Sequence, residues 1–171
     1  MNLGLMQGRL SQPTNGHIQE FPENWEDEFA SLEECKLAGV EWLITKGRSL
    51  DNPMYISPVT AGKYPVMSIC LDTLVDKRIT DENYLNENLV VLCETLLDCT
   101  SIKNITIPLL EESSMCDDKS RKMFCGLIKK IGDTFPDINF SFEAELGMQE
   151  LLEIVSLCDN FYVTYDTGNI T

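Results

Sequence analysis

An α/β fold, an incomplete (β/α) barrel of about six parallel strands forming one domain over residues 1–171, is what this sequence predicts. Three observations predict it. Short β-type apolar runs alternate with longer helical runs six times along the chain. Strands joined by helical crossovers lie parallel, because the right-handed βαβ connection is overwhelmingly preferred. There is no GxGxxG after the first strand and no GxxxxGK[ST] anywhere, so nucleotide-binding doubly wound sheets lose support and the barrel gains.

The elements follow in order. Asn2 to Met6 is a first apolar run, ended by Gly8 and a loop of turn-forming residues. A helix begins near Asn24, with Trp25, Phe29 and Leu32 on one face and Glu26, Asp27, Glu28, Glu33 and Glu34 in its first turns and on its other face, and Gly39 is the expected stop. Val40 to Ile44 is a second strand. Thr45 to Lys63 holds Gly47, Asn52, Pro53, Pro58 and Gly62 and is too broken for a long helix. Val66 to Leu71 is a third strand; Asp81 then caps a helix carrying Leu85, Leu89, Leu92, Leu96 and Leu97. Ile105 to Leu110 is a fourth strand, followed from about Lys119 by a helix with Met123, Leu127, Ile128 and Ile131 inward. Ile138 to Phe142 is a fifth strand, Met148 to Leu157 a fifth helix, and Phe161 to Tyr165 a sixth strand.

Composition excludes several classes. A formal charge of -15, from 28 acidic against 13 basic residues, repels phosphate backbones and anionic headgroups, so nucleic acid and membrane surfaces are excluded as partners. No window approaches the roughly 20 apolar residues of a membrane helix. The opening MNLGLMQGRL lacks the pattern of a secretory signal, and a cytoplasmic location is the expectation. The 7 cysteines are odd in number, scattered and without a CxxC, which predicts reduced thiols, mostly buried. His17 is the only histidine; it sits in a polar loop and reads as solvated, so Ser-His-Asp and Cys-His nucleophiles are set aside.

Parallel α/β folds gather functional groups at the carboxyl ends of their strands. The residues there are Gln7, Gly8 and Arg9; Glu41 and Trp42; Asp72; Glu111 and Glu112; Glu143 and Glu145; and Asp166. Glu143 and Asp166 each follow an apolar run, and carboxylates at adjacent strand mouths can share a divalent cation. Hard oxygen donors suit magnesium or manganese, and a set including His would admit zinc or cobalt.

The segments LMQGRLSQP, NWEDEF, LAGVEWL, IPLLEESS, FEAEL and YDTGN, in that order, resemble the xylose-isomerase-like TIM-barrel superfamily, sugar phosphate isomerase/epimerase branch. The resemblance runs along the whole chain and implies an eight-stranded barrel whose carboxyl-terminal part is absent here. It implies a divalent metal held by Glu after the fifth strand and Asp after the sixth, which are Glu143 and Asp166, with later His and Glu ligands that have no counterpart. It implies that Glu143 is catalytic, moving a proton at the carbon beside a sugar carbonyl. Substrate contacts are expected from Arg9, Glu41, Trp42, Asp72 and Glu111, with a sugar or sugar phosphate as ligand. Two readings stand: a metal-assisted isomerase or epimerase, or a non-catalytic barrel fragment that acts as a scaffold and has lost its metal. The superfamily's DNA-repair endonucleases are set aside, because their sites use several histidines. Six strands cannot close a barrel, so either a homodimer through the open edges or a missing carboxyl-terminal segment is expected.

Overall fold

The computed structural model describes residues 3–12, 20–45 and 51–166. His17 and the last residues of the YDTGN segment lie outside them. The strands are β1 (Gly4–Met6), β2 (Gly39–Leu43), β3 (Val66–Cys70), β4 (Asn104–Leu109), β5 (Asn139–Ala144) and β6 (Phe161–Val163). They form one parallel sheet in the order β1-β2-β3-β4-β5-β6. Sequential order combined with right-handed crossovers places every helix on the same face, which is the winding of a barrel and not of a doubly wound sheet. The six-stranded parallel α/β reading of the sequence is therefore correct.

The helices are α1 (Trp25–Cys35), the short α2 (Pro53–Ile56) and α3 (Pro58–Ala61), α4 (Glu82–Leu85), α5 (Val91–Cys99), α6 (Asp118–Thr134) and α7 (Met148–Val155). Between α4 and α5, Asn86–Val90 forms a π-turn, so residues 82–99 run as one interrupted helical stretch. Asp81 caps it as expected, its side chain accepting from the Asn83 and Tyr84 N–H groups. Asn52 caps α2, its side chain accepting from Met54 N–H, and Pro53 takes the first helical position, where its missing N–H costs nothing.

The end of α1 differs from expectation. Lys36, not Gly39, adopts the left-handed conformation at φ 56°. Gly39 instead opens β2, where a Cβ would lie 2.2 Å from the Pro65 carbonyl oxygen; glycine is there for close strand approach. On α6, Ile128 and Ile131 are buried and Leu127 packs on the core as expected, but Met123 is exposed and its neighbour Phe124 is buried instead, in ring contact with Phe142 of β5. On the preceding stretch Leu85, Leu89, Leu92 and Leu96 are buried, while Leu97 is exposed.

The core lies between sheet and helices. Trp42 of β2 packs against Phe21, Trp25 and Phe29, and Phe142 of β5 against Phe124 and Phe161. Each such side chain contributes about 1.5–3 kcal/mol when taken from water. Among the cysteines, only Cys70 and Cys93 are buried, while Cys35 and Cys116 are exposed, so the expectation of mostly buried thiols is corrected. All are free thiols. Among the described residues, no helix is long and apolar enough to cross a membrane.

Candidate functional site

Because strand side chains alternate, the residues opposite the aromatic core point to the other face of the sheet. With Trp42, Ile69, Ile105, Phe140 and Phe142 turned to the helices, that other face carries Glu41, Ser68, Cys70, Thr106, Ser141 and Glu143. Glu41 is held by two hydroxyls. Its Oε1 accepts from Ser68 Oγ at 3.1 Å and from Thr106 Oγ1 at 2.6 Å, so hydroxyls from β3 and β4 hold a carboxylate supplied by β2.

Cys70 marks the centre of the polar face. Burial pushes its thiol well above the ordinary range, and the negative charges of Glu41, Asp72 and Glu143 push it further. The charges of three residues at the β2, β3 and β5 ends thus act on one buried sulfur. Ser68, Cys70 and Thr106 went unpicked in the sequence. The signal for them was there, since polar residues alternate with apolar ones in VMSIC and NITIP.

Glu143 and Asp166 stand at the ends of neighbouring strands. Both line a cleft of about 740 Å³ at the β5 and β6 ends, with Leu146, Met148, Leu151 and Tyr165 among its walls. Glu143 is half-buried and Asp166 exposed. As hard oxygen donors on neighbouring strands they suit half of a ligand set for a divalent cation. Among the described residues, no three His, Cys, Asp or Glu side chains converge as a metal-holding group.

Glu111 stands apart, lining a separate cleft of about 260 Å³ with Arg78, Ser114, Cys116, Asp117 and Ser120. Its φ of 50° puts a non-glycine residue in the left-handed region, a conformation that costs energy and that surrounding structure must hold. Arg9 is exposed in the turn after β1. Trp42 is corrected: it is 0% exposed, and its indole N–H donates to Asn52 Oδ1 at 2.9 Å, so it is a core residue out of a ligand's reach.

The turn that carries Arg9 is built by a residue the sequence reading assigned to the solvated helix face. Glu28 of α1 is 1% exposed. Its two oxygens accept from the Gly8 N–H at 2.9 and 3.0 Å, and Oε1 also accepts from Leu10 N–H at 3.0 Å. Gly8 itself has φ 90°, open to glycine alone at little cost.

No protein-family model matches this chain, and no curated protein matches it in sequence. In structure it is similar to a xylose isomerase-like TIM barrel protein from Mycobacterium smegmatis, solved in complex with magnesium, with a TM-score of 0.60 at 15% identity. The match covers 98% of this chain and 65% of that one, so the chain spans about two-thirds of the length of its structural neighbour. The likeness shows the fold, that of part of a TIM barrel.

Proposed function

We propose that this chain belongs to a sugar or sugar phosphate isomerase/epimerase, with Glu143 as its proton-transferring group. The observation that carries the reading is the shared cleft of Glu143 and Asp166 at adjacent strand ends of this barrel type. Glu143 removes or returns a proton at the carbon beside the sugar carbonyl, on the face it lines. Glu143 and Asp166 would hold a divalent cation, magnesium or manganese by donor chemistry, which when bound polarises the carbonyl oxygen. Glu41, fixed by two hydroxyls, and Asp72 supply acceptors for substrate hydroxyls. Arg9 offers a cation to a phosphate, and Glu111 a more distant hydroxyl contact.

A second reading is favoured by the sheet edges. Among the described residues β1 pairs only with β2 and β6 only with β5, and Leu3, Tyr162 and Val163 beside those edges are exposed. In this reading the chain is a scaffold that gains a complete mouth by joining a second copy through its open edges. Calorimetric titration with manganese, beside a Glu143→Gln variant, separates the two. Binding that the substitution abolishes supports the enzyme; no binding by the parent chain supports the scaffold.

A further inference from the structure

We infer that the barrel interior between β1 and β3 is a pocket for an unphosphorylated, hydroxyl-bearing end of the ligand, with Glu41 as its specificity-determining acceptor and Thr106 and Ser68 as the residues that position it; this rests on the sugar reading above. Glu41 is the third of the five residues of β2, so it stands inside the barrel, below the rim. Its place depends on an irregularity in the sheet. Val40 pairs with Val66 and Glu41 with Ser68, so Met67 is an extra residue on β3 and the register slips between Val40 and Glu41. A bulge of this kind re-aims a side chain, and here it sets the carboxylate beside the Ser68 hydroxyl. Two glycines make room for the extra residue: a Cβ at Gly4 would lie 2.7 Å from Met67 Sδ, and one at Gly39 2.9 Å from Met67 Cγ.

The carboxylate is engaged on one side only. Thr106 and Ser68 both donate to Oε1, at 2.6 and 3.1 Å, and two such bonds fill a carboxylate oxygen. Oε2 has no hydrogen-bond partner among the described residues and is not sealed from solvent. A cleft of about 230 Å³ lies against the side chain, lined by Gly4, Leu5, Met6, Met67 and Ser68 together with Glu41. The chemistry selects its occupant. An ionised carboxylate only accepts, so the group that meets Oε2 has to donate, and among the groups of a sugar that is a hydroxyl. A phosphate brings like charge to the carboxylate and is repelled. The rest of the wall is methionine and leucine side chain and glycine, which suits the C–H face of a polyol while its O–H turns to Oε2. Glu143 lines the cleft at the β5 and β6 ends and not this one, so the hydroxyl held here is remote from the reacting carbon.

The test titrates D-fructose into the intact chain and into Glu41→Gln, Thr106→Val and Thr106→Ser variants, with a urea midpoint for each. Glu41→Gln keeps an oxygen for the two hydroxyls and turns an amide NH₂ group to the cleft in place of an acceptor. Thr106→Val keeps the shape of the side chain and removes one of the two bonds that hold Oε1. The expected result is a roughly tenfold weaker affinity in Glu41→Gln and in Thr106→Val, the loss of one well-placed hydrogen bond, with Thr106→Ser restored to near the parent value. That rescue separates the hydroxyl's role from packing. If Thr106→Val fails to fold, Glu41→Gln decides alone. Unchanged affinity in Glu41→Gln overturns the pocket. A lowered urea midpoint in Thr106→Val with unchanged affinity overturns the positioning role and leaves the three side chains as a tie between strands. No binding by the parent chain overturns the whole inference. Manganese binding that depends on Glu143 leaves the wider sugar reading standing in that event, and its absence removes both.

Discussion

Glu28 and Gly8 lie 20 residues apart, and the carboxylate of one receives the backbone N–H of the other at 2.9 and 3.0 Å. An acidic helix thereby shapes the turn after β1, and Arg9 is flanked on both sides by backbone held on the same carboxylate. Glu28→Ala strands the Gly8 and Leu10 N–H groups, and each buried unpaired donor costs about 1–3 kcal/mol. The expected loss is about 3 kcal/mol in urea unfolding, far more than an exposed glutamate on a helix would give.

Asn160 is a second buried polar anchor. Its Nδ2 donates to the carbonyls of Gly132, Phe135 and Ile138, at 3.3, 3.1 and 2.8 Å, tying the end of α6 and the turn into β5 to the start of β6. Asn160→Leu leaves these acceptors without that donor. It is expected to destabilise the chain by about 2–3 kcal/mol, measured as a lower urea midpoint with an unchanged slope.

Burial pushes the Cys93 thiol far above its ordinary value of 9.0. Below that value both folded and unfolded chains keep the proton and stability is full. Above it the unfolded chain releases a proton that the folded chain retains, so stability falls as pH rises toward the folded value. The urea midpoint is expected to fall from about pH 9 upward. In Cys93→Ala that decline is shallower, though the cavity lowers stability at every pH. A decline equally steep in the variant would assign it to other groups.

Open parallel edges invite pairing. Light scattering of the parent chain is expected to show association. Val163→Lys, which puts a charge on the exposed β6 strand, is expected to shift it toward monomer. A monodisperse parent monomer would remove the second-copy reading.

The strands and their polar ends were legible because period-two apolar runs bounded by turn residues survive in almost any context. The side to which each strand-end residue points was harder. Glu41 and Trp42 are neighbours in sequence, and only the register of β2 against β3 puts the carboxylate in the mouth and the indole in the core. Met123 and Phe124 posed the same problem on α6, where one position of helical phase separates an exposed from a buried side chain. Glu28 was illegible for a different reason: its partners are backbone N–H groups of a distant turn, and no local pattern advertises them. The meeting of Glu41 with Ser68 and Thr106 depended likewise on sheet order, which fold topology supplies and residue spacing does not.

The π-turn at Asn86–Val90 has a genetic consequence. A π-turn is an α-helix that carries one residue too many while the helix on either side keeps its phase. Loss of a single codon there, such as that of the exposed Glu87, lets the turn relax to an ordinary α-helix with Leu85 and Leu92 still facing the core. The same deletion within α6 would rotate half its buried stripe into water. In a library of single-residue deletions, residues 86–90 should therefore stand out as a tolerant island inside an otherwise intolerant helix.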